Sequence, residues 1–151
     1  MSVFSTEVRG GSRVARRSFL KPGVLLLSVV NSLWALAGLV ANPSFATGDA
    51  ATSVTVLGID FNAWHALSGL AVFLPGLYIV RWSGYVVRAY ALAMIPAVAL
   101  PGLWALFDDR PLGLWPFDHA ESDAMLHFAT AMGYAAVLVL DRRQRWKAAH
   151  M

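Results

Sequence analysis

Four apolar segments follow one another along the chain, and each has the length of a membrane-spanning helix. They cover residues 23–41, 61–80, 85–107 and 122–140. A helix needs roughly 20 residues to cross the hydrocarbon core of a bilayer. Backbone groups in lipid must find their hydrogen bonds within the segment, which favours helices. The pattern therefore predicts an all-α polytopic membrane protein with four transmembrane helices in a bundle.

The composition supports this class. Hydrophobic residues make up 58% of the chain and charged residues only 14%, whereas soluble domains carry roughly 25% charged residues. The absence of cysteine excludes disulfides, thiolate metal ligands and cysteine nucleophiles. The sequence also has no glycine-rich phosphate loop, no G-x-S-x-G motif and no H-E-x-x-H motif. We expect a non-enzymatic protein that does not bind nucleic acid.

The basic residues predict the orientation in the membrane. Eleven of the twelve lie on one side of the predicted spans, and Arg110 alone lies on the other. Because basic residues concentrate on the cytoplasmic side, we expect a multi-pass plasma-membrane protein with both termini in the cytoplasm. This divides the chain into a basic N-terminal arm (residues 1–22), a four-helix transmembrane domain (23–140) and a basic tail (141–151).

The cytoplasmic basic residues also predict contacts with the lipid bilayer. Each Lys or Arg near an anionic membrane surface contributes about 1 kcal/mol to attraction. We expect six of them to contact anionic lipid headgroups: Arg16, Arg17, Lys21, Arg81, Arg142 and Arg143.

The segment "RRSFLK", residues 16–21, has two interpretations. Two arginines ahead of Phe-Leu-Lys and an apolar stretch are typical of a twin-arginine export signal, and cleavage after Ala46 would then remove the first apolar segment. Alternatively, the arginines anchor an uncleaved first helix on the cytoplasmic side. The three further spans favour the uncleaved helix.

The two outer connections resemble each other. The first contains "LGIDFNAWHALSG" (residues 57–69) and the second "LGLWPFDHAESDAMLHFATAMG" (residues 112–133). Both pass from Leu-Gly to a histidine in the next helix, although the glycine-to-histidine spacing is 7 in one and 14 in the other. The similarity indicates a parallel duplication of two helix pairs, and chance similarity of two short loops is the alternative.

At these residues the chain resembles a family of small four-helix membrane proteins, common in actinobacteria, that is catalogued only as a domain of unknown function. Residues 62–65 match its Asn-x-x-His element, and residues 112–116 match its Leu-Gly-apolar-x-Pro run. Residues 123–127 match its acidic-x-x-Leu-His element. Asp118 replaces an expected Asn, and the second helix has one His where two are expected. The resemblance implies a fold and no activity.

Four polar residues lie near the outer ends of the second and fourth predicted helices: Asn62, His65, Asp123 and His127. At a rise of 1.5 Å per residue, both imidazoles lie roughly 6–8 Å below the outer boundary and can meet. Ionisable groups inside a span usually face the bundle interior. Three roles are open for this polar cluster. The first is hydrogen-bonded helix packing. The second is a metal or haem site using His65, His127 and Asp123, and the third is a proton or small-molecule path through Asp123 and His127.

Packing is the favoured role, so we expect no cofactor. The corresponding function is a non-enzymatic packing or accessory component of a larger membrane assembly. Its partner would be another membrane protein or a second copy of the chain. A metal- or haem-binding membrane protein and a small transporter or proton-path protein are the alternatives.

Overall fold

The computed structural model describes residues 18–150 and is built from four α-helices. The helices are α1 (Leu20–Ala41), α2 (Ala63–Ile79), α3 (Gly84–Ala105) and α4 (Ala120–Ala149). The two long connections hold two short 3-10 turns (Gly48–Ala50 and Pro111–Gly113) and a hairpin of β1 (Val54–Val56) and β2 (Ile59–Phe61). The predicted all-α class and the number of helices are confirmed.

Three of the helices are long and apolar enough to cross a membrane by length and composition: α1, α3 and α4. Helix α2 has 17 residues, or about 26 Å at 1.5 Å per residue, and does not reach that length. Large apolar side chains are exposed along the helices, among them Leu26, Leu33, Leu92 and Met132. Extended exposed apolar faces are rare on soluble monomers and are compatible with lipid.

The helices pack mainly as two pairs. Helix α1 lies along α2, and α3 lies along α4, while α2 and α3 contact each other only sparsely. Glycines allow close approach within each pair. A methyl group on Gly76 would lie 2.0 Å from Ser28 Oγ, and one on Gly102 would lie 2.6 Å from His127 Cβ. Small residues at helix contacts serve this purpose in membrane bundles.

Helix α2 begins later than the apolar pattern predicted, because Phe61 belongs to β2 and Asn62 caps the helix. The Asn62 Oδ1 atom accepts a hydrogen bond from the His65 backbone N–H at 2.9 Å, which is the usual role of an N-cap asparagine. The hairpin itself was not predicted from the sequence. It is closed by Leu57 and Gly58, whose φ values of 51° and 89° are both positive, as a two-residue type I′ turn requires.

Helix α4 continues well beyond residue 140, so residues 141–149 form its last turns rather than a separate segment. Asp141, at the start of the predicted tail, is 1% exposed. Its carboxylate accepts hydrogen bonds from Arg88 Nε (2.9 Å), Arg145 Nε (3.0 Å) and Ser18 Oγ (2.9 Å). These bonds join the start of α1, the first turns of α3 and the end of α4.

The basic residues predicted to contact lipid lie at this same end of the bundle where the structure describes them. Lys21, Arg81, Arg142 and Arg143 are exposed. Arg81 lies over the ring of Tyr78, with 5.8 Å from its guanidinium carbon to the ring centroid. Arg16 and Arg17, and with them the twin-arginine pair, lie outside the described residues.

Candidate metal centre

His65, Asp123 and His127 come together near the N-terminal ends of α2 and α4. Ligand atoms taken from the three side chains, one from each, all lie within 4.8 Å of one another. The two imidazole rings are stacked with 5.8 Å between centroids and an interplanar angle of 9°. His65 is 9% exposed, and Asp123 is fully buried. The sequence-based expectation placed these residues at one depth, and the structure brings them into one cluster.

The hydrogen bonds of the two imidazoles define which nitrogen carries the proton. His65 Nδ1 lies 2.6 Å from the Asp60 carbonyl oxygen, and His127 Nδ1 lies 3.0 Å from the Val98 carbonyl oxygen. A carbonyl oxygen can only accept, so Nδ1 is the donor in both rings. In the neutral imidazole Nε2 then carries a lone pair. Metal-binding histidines are commonly oriented by such a bond from the other ring nitrogen.

Two buried acceptor atoms in the cluster have no hydrogen-bond partner among residues 18–150: Asp123 Oδ1 and His127 Nε2. They lie 3.4 Å apart but not in hydrogen-bond geometry. The other carboxylate oxygen, Asp123 Oδ2, accepts the Asp60 backbone N–H at 2.8 Å. A buried polar atom without a partner is costly, and such atoms in a folded protein often mark a site for an ion.

The separation of these two atoms suits a bound cation. With metal–ligand bonds of about 2.1 Å, atoms 3.4 Å apart subtend an angle of about 108° at the metal, close to the tetrahedral value. The aromatic rings of Phe61 and Phe117 flank His65 with centroid distances of 4.9 and 5.6 Å. They cover the cluster with apolar surface, which strengthens electrostatic interactions inside it.

Asp60 is a residue of the candidate site that sequence reasoning missed. It is fully buried, and its backbone N–H and C=O contact Asp123 and His65 respectively. Its carboxylate accepts the His119 backbone N–H at 2.5 Å and the Thr55 hydroxyl at 2.6 Å. The negative charge thereby lies at the N-terminus of α4, where the helix dipole stabilises it.

Asn62, the fourth member of the predicted polar cluster, does not bond to the other three side chains. Its amide nitrogen donates to the Leu114 carbonyl oxygen at 2.6 Å, and its amide oxygen caps α2. Asn62 therefore fixes the start of α2 and the second outer connection. It is a positioning residue rather than a ligand.

A cavity of about 370 Å³ lies beside the cluster and between the two helix pairs. Its wall includes His65 and His127 as well as aromatic and apolar side chains from all four helices and the outer connections. The cluster thus lies at the wall of a partly open, mostly apolar space.

Comparisons with known proteins give no lead to a function. No protein-family model matches the chain, and searches of curated proteins and of solved structures give no significant match. The resemblance to the four-helix family therefore stays a prediction, and the function has to be argued from the site.

Proposed function

We propose that the protein is a membrane protein that binds one divalent transition-metal ion through His65, Asp123 and His127. The observation that carries this proposal is the pair of buried, unpartnered acceptors, Asp123 Oδ1 and His127 Nε2, which lie 3.4 Å apart. A cation between them would satisfy both atoms. His65, which belongs to the same group of ligand side chains, would supply the third ligand.

The chemistry of the ligands narrows the choice of ion. Two imidazoles and one carboxylate suit Zn²⁺ and Fe²⁺, and three protein ligands leave a coordination position open. The set is less suited to Ca²⁺ or Mg²⁺, which prefer oxygen ligands. Haem is disfavoured because its macrocycle would need the space around the two imidazoles where the Asp123 carboxylate lies.

In the proposed topology the chain crosses the membrane four times, which places this site near the outer face. Helix α2 is short, but a short span is accommodated by local thinning of the bilayer at modest cost. With the basic residues inside, both termini lie in the cytoplasm of a plasma-membrane protein. The exposed Lys21, Arg81, Arg142 and Arg143 then face anionic headgroups.

A second candidate function is the packing or accessory role, and one observation favours it. Each imidazole already makes a hydrogen bond that joins two parts of the fold, since His65 contacts β2 and His127 contacts α3. Such bonds in membranes average about 0.6 kcal/mol. They hold the cluster together with or without an ion, and in this role the protein would pack against another membrane protein or a second copy of itself.

Zn²⁺ binding by the purified chain in detergent separates the two functions. We expect one tightly held Zn²⁺ per chain in equilibrium dialysis, with the purification tag removed. His65→Ala, Asp123→Asn and His127→Ala should each abolish tight binding. His150→Ala is the matched control, because His150 is an exposed histidine at the end of α4. If the wild-type chain bound neither Zn²⁺ nor Fe²⁺ tightly, the metal-binding function would be wrong and only the packing role would remain.

A further inference from the structure

The cavity beside the metal centre has few polar atoms free to bind a ligand. The Ser68 hydroxyl donates to the Trp64 carbonyl oxygen, and the Asn31 amide donates to the Leu27 carbonyl oxygen. Among the described residues, the buried polar atoms of the cavity wall that lack a hydrogen-bond partner are His127 Nε2 and Trp115 Nε1. The indole N–H of Trp115 is buried and has no acceptor within the part of the chain that the structure describes.

The position of the cavity gives it access to lipid. It lies between the helix pairs, where α2 and α3 contact each other only sparsely. Its wall includes Pro96, Ala97 and Leu100 of α3, and all three residues are exposed. A molecule dissolved in the bilayer therefore has a lateral route into the space.

Charge and size define the molecule that fits. A divalent ion coordinated by the Asp123 carboxylate and two neutral imidazoles carries a net charge of +1, and the nearby Asp60 carboxylate is already held by the His119 N–H and the Thr55 hydroxyl rather than by the ion. An uncompensated buried charge is costly. A ligand with a single negative charge would neutralise it. At about 370 Å³, the cavity is near the lower end of the 300–1,000 Å³ range of ligand pockets. This volume favours one hydrocarbon chain over two.

We propose that the cavity binds a single-chain amphiphile of the fatty-acid class. The carboxylate would occupy the open coordination position of the metal, and the acyl chain would lie along the apolar wall between α2 and α3. The Trp115 indole N–H, a buried donor at the same cavity wall, would be available to the carboxylate. This inference rests on the proposed metal-binding function.

Binding of radiolabelled palmitate to the Zn²⁺-loaded protein in detergent tests the proposal. We expect one palmitate per chain, and at least about a tenfold loss of affinity, equivalent to 1.4 kcal/mol, when a chelator removes Zn²⁺. Palmitate methyl ester has the same chain without the charge. It should bind weakly and show no dependence on Zn²⁺. Equal affinities for the acid and the ester would overturn the assignment of the carboxylate to the metal.

Two variants of α3 separate the cavity from the metal. Ala97→Phe places a large side chain at the cavity wall and should abolish palmitate binding while one Zn²⁺ per chain is retained. Ala93→Phe is the matched control, because Ala93 is exposed on the same helix and is not part of the wall. If Ala97→Phe binds one Zn²⁺ per chain and its palmitate affinity is unchanged, this inference is wrong, and the proposed function is not affected. A wild-type protein that binds palmitate but no metal would contradict the proposed function itself.

Discussion

The backbone N–H of Asp60 donates a hydrogen bond to Asp123 Oδ2 at 2.8 Å, and so joins the hairpin to α4 across 63 positions of the chain. The carbonyl oxygen of Asp60 accepts from His65 Nδ1. One residue of the hairpin therefore orients two of the three proposed metal ligands. Its carboxylate fixes the hairpin in turn, through the His119 backbone N–H and the Thr55 hydroxyl.

Replacing Asp60 by Ala should destabilise the outer end of the bundle. The His119 N–H and the Thr55 hydroxyl would lose their acceptor. Because His119 and Thr55 are exposed and water can replace the carboxylate, the cost should be about 0.5–1.5 kcal/mol. Zn²⁺ affinity should fall as well, since the loosened hairpin carries the carbonyl that orients His65. Detergent-solubilised protein unfolded by heat or by SDS would report the first effect. The control is Asp49→Ala, whose side chain is fully exposed, and equal stability of the two variants would contradict the role of Asp60.

Replacing Gly38 by Ala should also destabilise the protein, because α1 packs directly on the hairpin there. The added methyl group would lie 2.2 Å from Phe61 Cγ, so the Phe61 ring has to move. Overpacking of this kind typically costs about 1–3 kcal/mol. Since that ring flanks His65, metal affinity should fall together with stability. Gly84→Ala is the comparison, because the nearest atom to its methyl group is an Arg88 nitrogen at 3.9 Å. A Gly38→Ala protein as stable as Gly84→Ala would contradict close packing of α1 on the hairpin.

Replacing Asp141 by Ala should weaken the end of the bundle that holds the start of α1 and the end of α4, without affecting Zn²⁺ binding. The variant leaves Arg88 and Arg145 without their shared carboxylate. We expect a cost of about 1–3 kcal/mol, below the roughly 3–5 kcal/mol of a fully buried pair, because Arg88 is partly exposed. Thermal unfolding measures the cost, with the exposed Asp109→Ala as control. A change in Zn²⁺ stoichiometry would mean that the two ends of the bundle are coupled.

Single cysteines introduced into this cysteine-free chain should report the topology. A membrane-impermeant maleimide added to intact cells should label Ala50→Cys and Asp109→Cys in the outer connections. It should not label Ser83→Cys or Ala148→Cys until the cells are opened. Ser83 follows the short helix α2, so its protection tests whether that helix crosses. Labelling of Ser83→Cys in intact cells would contradict the four-span topology.

The hydrophobic pattern predicted the helices well but not the hairpin. Lipid-facing and core-facing positions are both apolar here, so the pattern defines where α1 and α3 lie to within a few residues. The hairpin was missed because a two-residue turn is usually indicated by Asn-Gly or Asp-Gly. Here Leu57 adopts the positive φ instead. The same Leu-Gly pair at Leu112 and Gly113 also has positive φ values, which no propensity rule would have assigned to leucine.

The sequence predicted which side chains meet at the site, but not which main-chain groups form hydrogen bonds with them. The two histidines lie at a similar distance from the start of α2 and α4, and these helices were predicted to run in the same direction, so the sequence placed His65 near His127. The i, i+4 spacing placed Asp123 beside His127. The carbonyl groups of Asp60 and Val98 have no sequence signature, because every residue carries one. The burial of Asp141, the first residue of the predicted basic tail, was not predicted for a similar reason, since it depends on Arg88 of another helix.

The visible absorption spectrum of the protein loaded with Co²⁺ tests the central claim most directly, because Co²⁺ replaces Zn²⁺ at similar sites and its d–d bands report coordination. We predict intense bands for one Co²⁺ per chain, as expected of a four- or five-coordinate site with nitrogen and oxygen ligands. These bands should be lost in His127→Ala and His65→Ala and retained in His150→Ala. A wild-type spectrum with only the weak bands of hexaaqua Co²⁺, unchanged in the ligand variants, would contradict the metal centre.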